Sequence, residues 1–205
     1  MLLRRLGALG RWADFTLRYR RNYWRDDETR SGPGSRRDSH SVTHSLDVLG
    51  RLTSLLDLKS VADIPCGDFN WISAYLDRHP GLAYVGYDIV DDLIARNRRT
   101  YPNVRFMPLD IVTKVPPPVD LIFCKDLVNH LEDDEIVRAI ANMRGSGSTW
   151  LLATSNAGYK NVRLQRSWYN DSRHVDLTAE PFRYPEPAWH DHYLGLWRLA
   201  DMEPG

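Results

Sequence analysis

The sequence of 205 residues predicts a single α/β domain in which a mostly parallel sheet carries helices on both faces. From residue 60 onward, short apolar runs that are typical of buried strands alternate with amphipathic segments at helical spacing. The chain length and the hydrophobic fraction of 42% are sufficient for one domain with a sizeable core. Because crossovers between parallel strands are right-handed, the carboxyl ends of these strands meet at one edge, where ligands bind.

The alternating pattern defines a series of strands and helices, followed by an irregular segment. The strands are predicted at 60–64, 83–89, 103–107, 120–124, 149–154 and 193–199. The helices between them are predicted at 70–78, 91–101 and 132–144. Residues 156–193 are rich in proline, histidine and aromatic residues, including Trp168, Tyr169 and Trp189, without clear periodicity. We interpret this segment as a packed lid or a wall of an acceptor site, with a merely structural flap as the alternative.

The amino-terminal part of the chain is predicted to be helical and basic. Apolar residues recur at helical spacing between Leu2 and Leu17, and residues 1–37 hold ten arginines against four acids. The arginines form either a solvated face or a docking face for an acidic partner, a phosphate-bearing substrate or a membrane surface. The sequence SGPGS at 31–35 ends this helix, and a second helix is predicted at 42–56.

Composition excludes several classes of protein. The formal net charge of zero argues against a globally basic protein that binds nucleic acid. No apolar run approaches the roughly 20 residues needed to span a bilayer, and the first residues lack the apolar stretch of a secretory signal. Two cysteines are too few for a disulfide framework and fit a reducing compartment. We therefore expect a cytoplasmic protein without a membrane span. Its oligomeric state is left open, a homodimer included.

Three aspartates follow successive predicted strands. The sequence VADIPCGDFNW at 61–71 places Asp63 at the end of a strand, before a turn in which Gly67 permits close approach of a nucleotide-like ligand. Asp88 follows 25 residues later, near the spacing expected for an acid on a ribose diol. Asp110 follows the third strand, where it could receive an adenine amino group. The three acids share one sheet edge and predict a nucleotide-like ligand there.

These motifs occur in an order that resembles the class I S-adenosylmethionine-dependent methyltransferases, specifically a bacterial branch with a DIPCGDFNW first motif. The segments that carry the resemblance are NYWRDDETRSGPGS (22–35), YVGYDIV (84–90), FMPLDI (106–111), FCKDLVNHL (123–131), PFRYPEP (181–187) and LGLWRL (194–199). The resemblance implies a single Rossmann-like methyltransferase domain with a seven-stranded sheet and an amino-terminal helical extension. It divides the chain into a basic helix with a loop that covers the cofactor, 1–40, and the cofactor-binding domain, 41–205, with an acceptor-site insertion at 156–193.

The resemblance also implies which residues contact S-adenosylmethionine, or its product S-adenosylhomocysteine. The methionine portion would face the first turn, the ribose would contact the end of the second strand, the adenine would contact the end of the third, and the sulfonium would lie beside the end of the fourth. In that order the residues are Asp63, Pro65, Cys66, Gly67 and Asp68; Asp88; Asp110 and Ile111; Lys125 and Asp126. Ile89, which follows Asp88, could pack on the adenine face. Trp71 and the SGPGS loop, with Ser31, Gly34 and Ser35, would close over the cofactor.

The first turn departs from the common pattern of this class. Common members carry three glycines at alternate positions of this turn, where the present chain has Pro65, Gly67 and Phe69. A proline lacks a backbone donor and fixes φ, so this loop is expected to be stiffer, and its bulkier residues are expected to contact the methionine portion differently. Because the resembling branch shares this feature, we do not interpret it as loss of function.

The predicted function is methyl transfer to a small polar acceptor. His130 is the preferred general base, since its reference pKa suits proton transfer at neutral pH; a histidine that only caps the next helix is the alternative, and Asp126 is the rival base. The histidines around residues 190–192 lack an evident third ligand, so no metal is predicted. Resemblance alone favours O-methylation of a sugar or natural-product intermediate. The alternatives are N-methylation of a small metabolite and a catalytically inactive subunit, whereas a nicotinamide-dependent oxidoreductase is disfavoured because the first turn lacks GxGxxG.

Overall fold

The computed structural model describes residues 7–165 and 172–203, and the chain divides into two compact units, Met1–Asp110 and Ile111–Gly205. Seven strands make up the sheet, in the order β3-β2-β1 in the first unit and β4-β5-β7-β6 in the second. The strand pairs within the first unit are parallel, and the second unit adds one parallel pair and two antiparallel pairs. The predicted fold class, an α/β fold with a mostly parallel seven-stranded sheet, is confirmed.

The first unit alternates helices with three parallel strands. Its elements are α1 (Ala8–Arg20), α2 (His40–Leu55), β1 (Ser60–Asp63), α3 (Ile72–Arg78), β2 (Ala83–Asp88), α4 (Asp91–Thr100) and β3 (Arg105–Pro108), with a short 3₁₀ helix at Pro33–Ser35. In the parallel register Asp63 pairs with Gly86, and Asp88 pairs with Pro108. The carboxyl ends of the three strands therefore lie at one edge, as predicted from the alternating pattern.

The basic amino-terminal helix packs on α4 and is partly neutralised there. Arg20 forms an ion pair with Asp92 at 2.5 Å, and the Trp12 indole N–H donates to Asp91 at 2.9 Å. Both aspartates lie in the first turn of α4, where negative charge also favours the helix dipole. Part of the predicted arginine face is thus used within the unit. The predicted helical residues Leu2, Leu3 and Leu6 lie outside the described residues.

The second unit consists of β4 (Leu121–Cys124), α5 (Asp133–Gly145), β5 (Trp150–Thr154), β6 (Trp189–His190) and β7 (Leu194–Arg198), with short 3₁₀ helices at Val128–His130 and Leu199–Asp201. All four residues of β4 are buried, which explains its uninterrupted apolar sequence. Helix α5 begins with a capping box between Glu132 and Glu135. Strand β6 was not predicted, because its two exposed residues carry no pattern. Among the described residues, no helix has the length and apolarity needed to cross a membrane.

Candidate active site

The turn after β1 is fixed by hydrogen bonds to β2 and α4. The Cys66 N–H donates to the Tyr87 carbonyl at 2.8 Å, and the Asn97 side-chain amide donates to the Gly67 carbonyl at 2.8 Å. Gly67 has a φ of +53°, and a Cβ atom at this position would lie 2.5 Å from the Ser31 hydroxyl. Only glycine satisfies both the backbone conformation and this close approach. The turn itself therefore requires glycine at this position, and the predicted contact of Gly67 with the cofactor stays a prediction.

Phe69 takes the third glycine position, and its side chain is buried. Its φ of +60° is the left-handed conformation that glycine usually adopts, at a cost of about 1–2 kcal/mol for another residue. The ring is buried and makes aromatic contacts with Tyr84, Tyr101 and Phe106 at centroid distances of 5.5, 4.7 and 5.0 Å. This packing offsets the backbone strain. The structure thus directs the bulky side chain into the core, which the sequence alone did not reveal.

Asp88 is a buried carboxylate at the carboxyl end of β2. Its side chain accepts hydrogen bonds from the Gly67 N–H at 3.2 Å and the Val90 N–H at 3.0 Å, and the residue is only 7% exposed. Burial raises the pKa of Asp88 to about 6, against the opposing effect of these backbone donors. A carboxylate has about four lone-pair sites, so acceptor capacity remains for ligand hydroxyl groups. Asp88 therefore fits the predicted contact with the ribose of S-adenosylmethionine.

The other two predicted aspartates of this edge are engaged with protein side chains. The buried Asp63 carboxylate accepts a hydrogen bond from the Tyr84 hydroxyl at 2.7 Å, and burial together with the charge of Asp63 raises the pKa of that tyrosine. Asp110 forms an ion pair with Arg11 of α1 at 2.8 Å. Sequence reasoning missed Arg11, because 99 residues separate it from its partner. Cofactor contacts of Asp63 and Asp110 stay predictions.

The SGPGS loop docks on the turn through Asp68. The Asp68 carboxylate accepts hydrogen bonds from the Thr29 hydroxyl at 2.8 Å, the Arg30 N–H at 2.9 Å and the Ser31 hydroxyl at 3.2 Å. The Asp68 N–H in turn donates to the Ser31 hydroxyl at 3.0 Å. These bonds give Asp68 a clear role in positioning the loop. Its predicted contact with the methionine portion stays a prediction.

Asn70 makes a second connection between the loop and the turn. Its side-chain amide donates to Glu28 at 2.6 Å and to the Ser35 carbonyl at 3.1 Å. The loop therefore lies against the residues that were expected to face the cofactor, while Trp71 stands at the start of α3. Contacts of Pro65, Cys66, Trp71, Ile89, Gly34 and Ser35 with a cofactor stay predictions.

The second unit contains a cavity of about 640 Å³ next to the end of β4. Polar and aromatic side chains line most of it: Asp126, Asn129, Thr154, Asn156, Tyr159, Lys160, Val162, Ser172, Arg173, His174 and Tyr193. Eight of these residues come from the segment that was predicted to form an acceptor wall. That volume is within the range of small-molecule sites. The predicted wall residues Trp168 and Tyr169 lie outside the described residues, and Trp189 does not line the cavity.

The Asp126 carboxylate, which lines the cavity, is bonded to an ammonium group and to a hydroxyl group. Its carboxylate accepts hydrogen bonds from the buried Lys125 ammonium at 2.5 Å and from the Tyr193 hydroxyl at 2.8 Å. Its N–H donates to the Thr154 hydroxyl at 2.9 Å, and its φ is +55°. Non-glycine residues in this conformation cluster at functional sites. Burial and the neighbouring Asp126 charge raise the pKa of Tyr193, so its hydroxyl acts as a hydrogen-bond donor. Tyr193 was missed, since 67 residues separate it from Asp126 in the sequence.

The two proposed bases differ in position. Asp126 lines the cavity, whereas His130 ends the short 3₁₀ helix Val128–His130 and is not among the lining residues. The assignment of His130 as general base stays a prediction. Within 7–165 and 172–203, the structure brings no group of three or more histidine, cysteine, aspartate or glutamate side chains together as a metal site.

Residues 61–146 match the family described as "Methyltransferase domain". The fold is that of the S-adenosylmethionine-dependent methyltransferases. This match agrees with the predicted methyltransferase-type domain over these residues. The structure is similar to that of the S-adenosylmethionine-dependent methyltransferase SibL, with a TM-score of 0.58 and 14% identity over 76% of this chain and 55% of SibL.

Two curated relatives share one name. The chain is 33% identical over 165 residues to trans-aconitate 2-methyltransferase of Azoarcus sp. (strain BH72), a match that covers 75% of this chain. It is 26% identical over 93 residues to trans-aconitate 2-methyltransferase of Rhodopseudomonas palustris (strain BisB5), over 44% of this chain. The matches span 65% and 36% of the length of these relatives.

Proposed function

We propose that this protein transfers the methyl group of S-adenosylmethionine to an oxygen atom of a small polar acceptor, and that it belongs to the branch with a DIPCGDFNW first motif. The observation that carries the proposal is the buried Asp88 carboxylate, held beside Gly67 at the end of β2 in a segment that matches a methyltransferase domain. This position suits a ribose diol, because one carboxylate can accept two hydroxyl groups.

The remaining cofactor contacts follow the predicted pattern. The methionine portion would be lined by Asp63, Pro65, Cys66, Gly67 and Asp68. The adenine would contact Asp110, Ile89 and Ile111. Trp71 and the SGPGS loop would cover the open side of the cofactor. When bound, the cofactor supplies an electrophilic methyl group on a positively charged sulfur. The protein would contribute negative charge near that sulfur and hold the acceptor in line, which is where proximity gains arise.

The cavity of the second unit is the proposed acceptor site, and Asp126 is its proposed base. With a hydroxyl acceptor, the acceptor oxygen would bond to the methyl carbon, the carbon–sulfur bond would break with its electron pair on sulfur, and the hydroxyl proton would pass to Asp126. Asp126 suits this role because it lines the cavity. His130 is the second candidate. With a carboxylate oxygen as acceptor, no proton would need to leave.

The relatives support an oxygen acceptor only through their name, which states an action on trans-aconitate. O-methylation of a sugar or natural-product intermediate, and N-methylation of a small metabolite, are the other acceptor chemistries that the resemblance suggested. The non-enzymatic alternative is a catalytically inactive subunit that has this fold and binds the cofactor.

The test is a transfer assay with methyl-labelled S-adenosylmethionine and a panel of carboxylic acids, sugars and amines. We expect label in an oxygen-containing acceptor, with one S-adenosylhomocysteine formed per methyl transferred. Label only in amines would contradict transfer to oxygen. Tight binding of S-adenosylhomocysteine without transfer to any acceptor would favour the non-enzymatic alternative.

A further inference from the structure

We propose that the cavity in the second unit binds an acceptor through a carboxylate group, and that Lys160 and Arg173 hold this group. The inference rests on the proposed function, because it names the acceptor class of the same site. It concerns recognition of the acceptor rather than the reacting oxygen. Three features of the cavity lining support it: the balance of charge, an unused buried donor and an unused buried acceptor.

The side chains that line the cavity carry a net positive charge once internal pairs are removed. Asp126 is neutralised by Lys125 at 2.5 Å, and Arg173 is paired with Asp133 at 2.6 Å. Lys160 also lines the cavity, and no carboxylate in the described part of the chain pairs with it. An anionic group in the cavity could form an ion pair with Lys160. A neutral polyol could not.

Arg173 is held rigidly and keeps one donor unused. Its side chain is only 4% exposed, one terminal nitrogen donates to the Leu131 carbonyl at 3.1 Å as well as to Asp133, and the other donates to the Val162 carbonyl. Its Nε atom is buried without a hydrogen-bond partner among the described residues. A buried donor without a partner costs about 1–3 kcal/mol, more when charged. Because Arg173 lines the cavity, a ligand oxygen is the natural acceptor for this N–H.

Asn129 adds an unused acceptor to the same lining. Its side-chain oxygen is buried without a donor among the described residues, and its backbone carbonyl accepts from the Arg173 N–H at 3.1 Å. A ligand that satisfies both residues presents an oxygen acceptor and an O–H donor. A hydroxy acid has this combination, whereas an ionised carboxylate supplies only acceptors. The stacked rings of Tyr159 and His174, 4.2 Å apart, provide a flat wall beside it.

The test is calorimetric titration of the full chain, saturated with S-adenosylhomocysteine, with three probes: trans-aconitate, its neutral trimethyl ester and sorbitol. We expect the tricarboxylate to bind at least tenfold more tightly than either neutral probe. The variant Lys160→Gln should weaken this binding about tenfold, as expected for loss of a bond between charged groups. Lys160 is exposed, so the variant should fold normally.

The matched control is Lys114→Gln, which removes an exposed lysine of the same unit that does not line the cavity. It should leave the affinity for trans-aconitate unchanged. Equal binding of the neutral probes, equal effects of the two lysine variants, or no binding of trans-aconitate would each overturn the inference. Failure of the chain to bind S-adenosylhomocysteine would instead overturn the proposed function, so the two failures are distinguishable.

Discussion

Replacement of Asp88 by alanine is expected to weaken binding of S-adenosylhomocysteine by 10- to 100-fold. The carboxylate lies at the end of β2 with acceptor capacity left over from its bonds to Gly67 and Val90. Hydrogen bonds to a charged group contribute about 1.5–3 kcal/mol, which corresponds to this range of affinity. Titration calorimetry measures the effect directly. Asp77→Ala, which removes an exposed acid of α3, is the control and should bind like the unchanged protein.

The same contact predicts how affinity depends on pH. Because burial raises the pKa of Asp88 to about 6, about one molecule in ten is ionised at pH 5 and nearly all are ionised at pH 8. Protonation removes an acceptor site, so the Kd for S-adenosylhomocysteine should rise about tenfold as the pH falls from 8 to 5. Asp88→Asn should bind weakly at both values, with this dependence abolished. A Kd that stays constant in the unchanged protein would refute the assignment of Asp88.

Replacement of Asp126 by asparagine is expected to lower the free energy of unfolding by about 3 kcal/mol. The variant leaves the buried Lys125 ammonium without its carboxylate, while the amide oxygen can still accept from the Tyr193 hydroxyl. Breaking a buried ion pair from one side typically costs 3–5 kcal/mol, and the 33% exposure of Asp126 places this pair at the lower end. Urea-induced unfolding, followed by circular dichroism, measures the change in midpoint.

Two further variants separate charge from hydrogen bonding. Lys125→Met combined with Asp126→Asn removes both charges and should recover most of the lost stability, since the uncompensated ammonium is gone. Tyr193→Phe keeps the ion pair and should cost about 1 kcal/mol. If the double variant is as unstable as Asp126→Asn alone, the ion pair does not account for the effect.

Much of the architecture could be predicted because local sequence patterns determine it. Strands β1, β2 and β4 are short apolar runs between turn residues, and α4 and α5 carry a clear helical periodicity. Differences at the ends of these elements are one or two residues. The two-residue strand β6 has no such pattern, since both residues are exposed and it forms only against β7.

Residues of the candidate site could be predicted from the sequence only where they lie directly at the carboxyl end of a strand. Asp88 belongs to this class, because the parallel register alone places it beside the turn. The pairing of Asp110 with Arg11, and the docking of residues 29–31 on Asp68, depend on contacts between distant parts of the chain. Tyr193 lies 67 residues from its partner Asp126. No spacing rule identifies such partners, so they required the folded structure.

The central claim is that the edge beside Asp88 binds S-adenosylmethionine rather than a nicotinamide dinucleotide. The direct measurement is the thermal unfolding midpoint of the chain with S-adenosylhomocysteine and, separately, with NAD. A ligand at 100 times its Kd adds about 2.7 kcal/mol to the native state, which corresponds to a rise of roughly 5–10 °C for a chain of this size. We predict this rise with S-adenosylhomocysteine and no change with NAD. A rise with NAD and none with S-adenosylhomocysteine would contradict the claim.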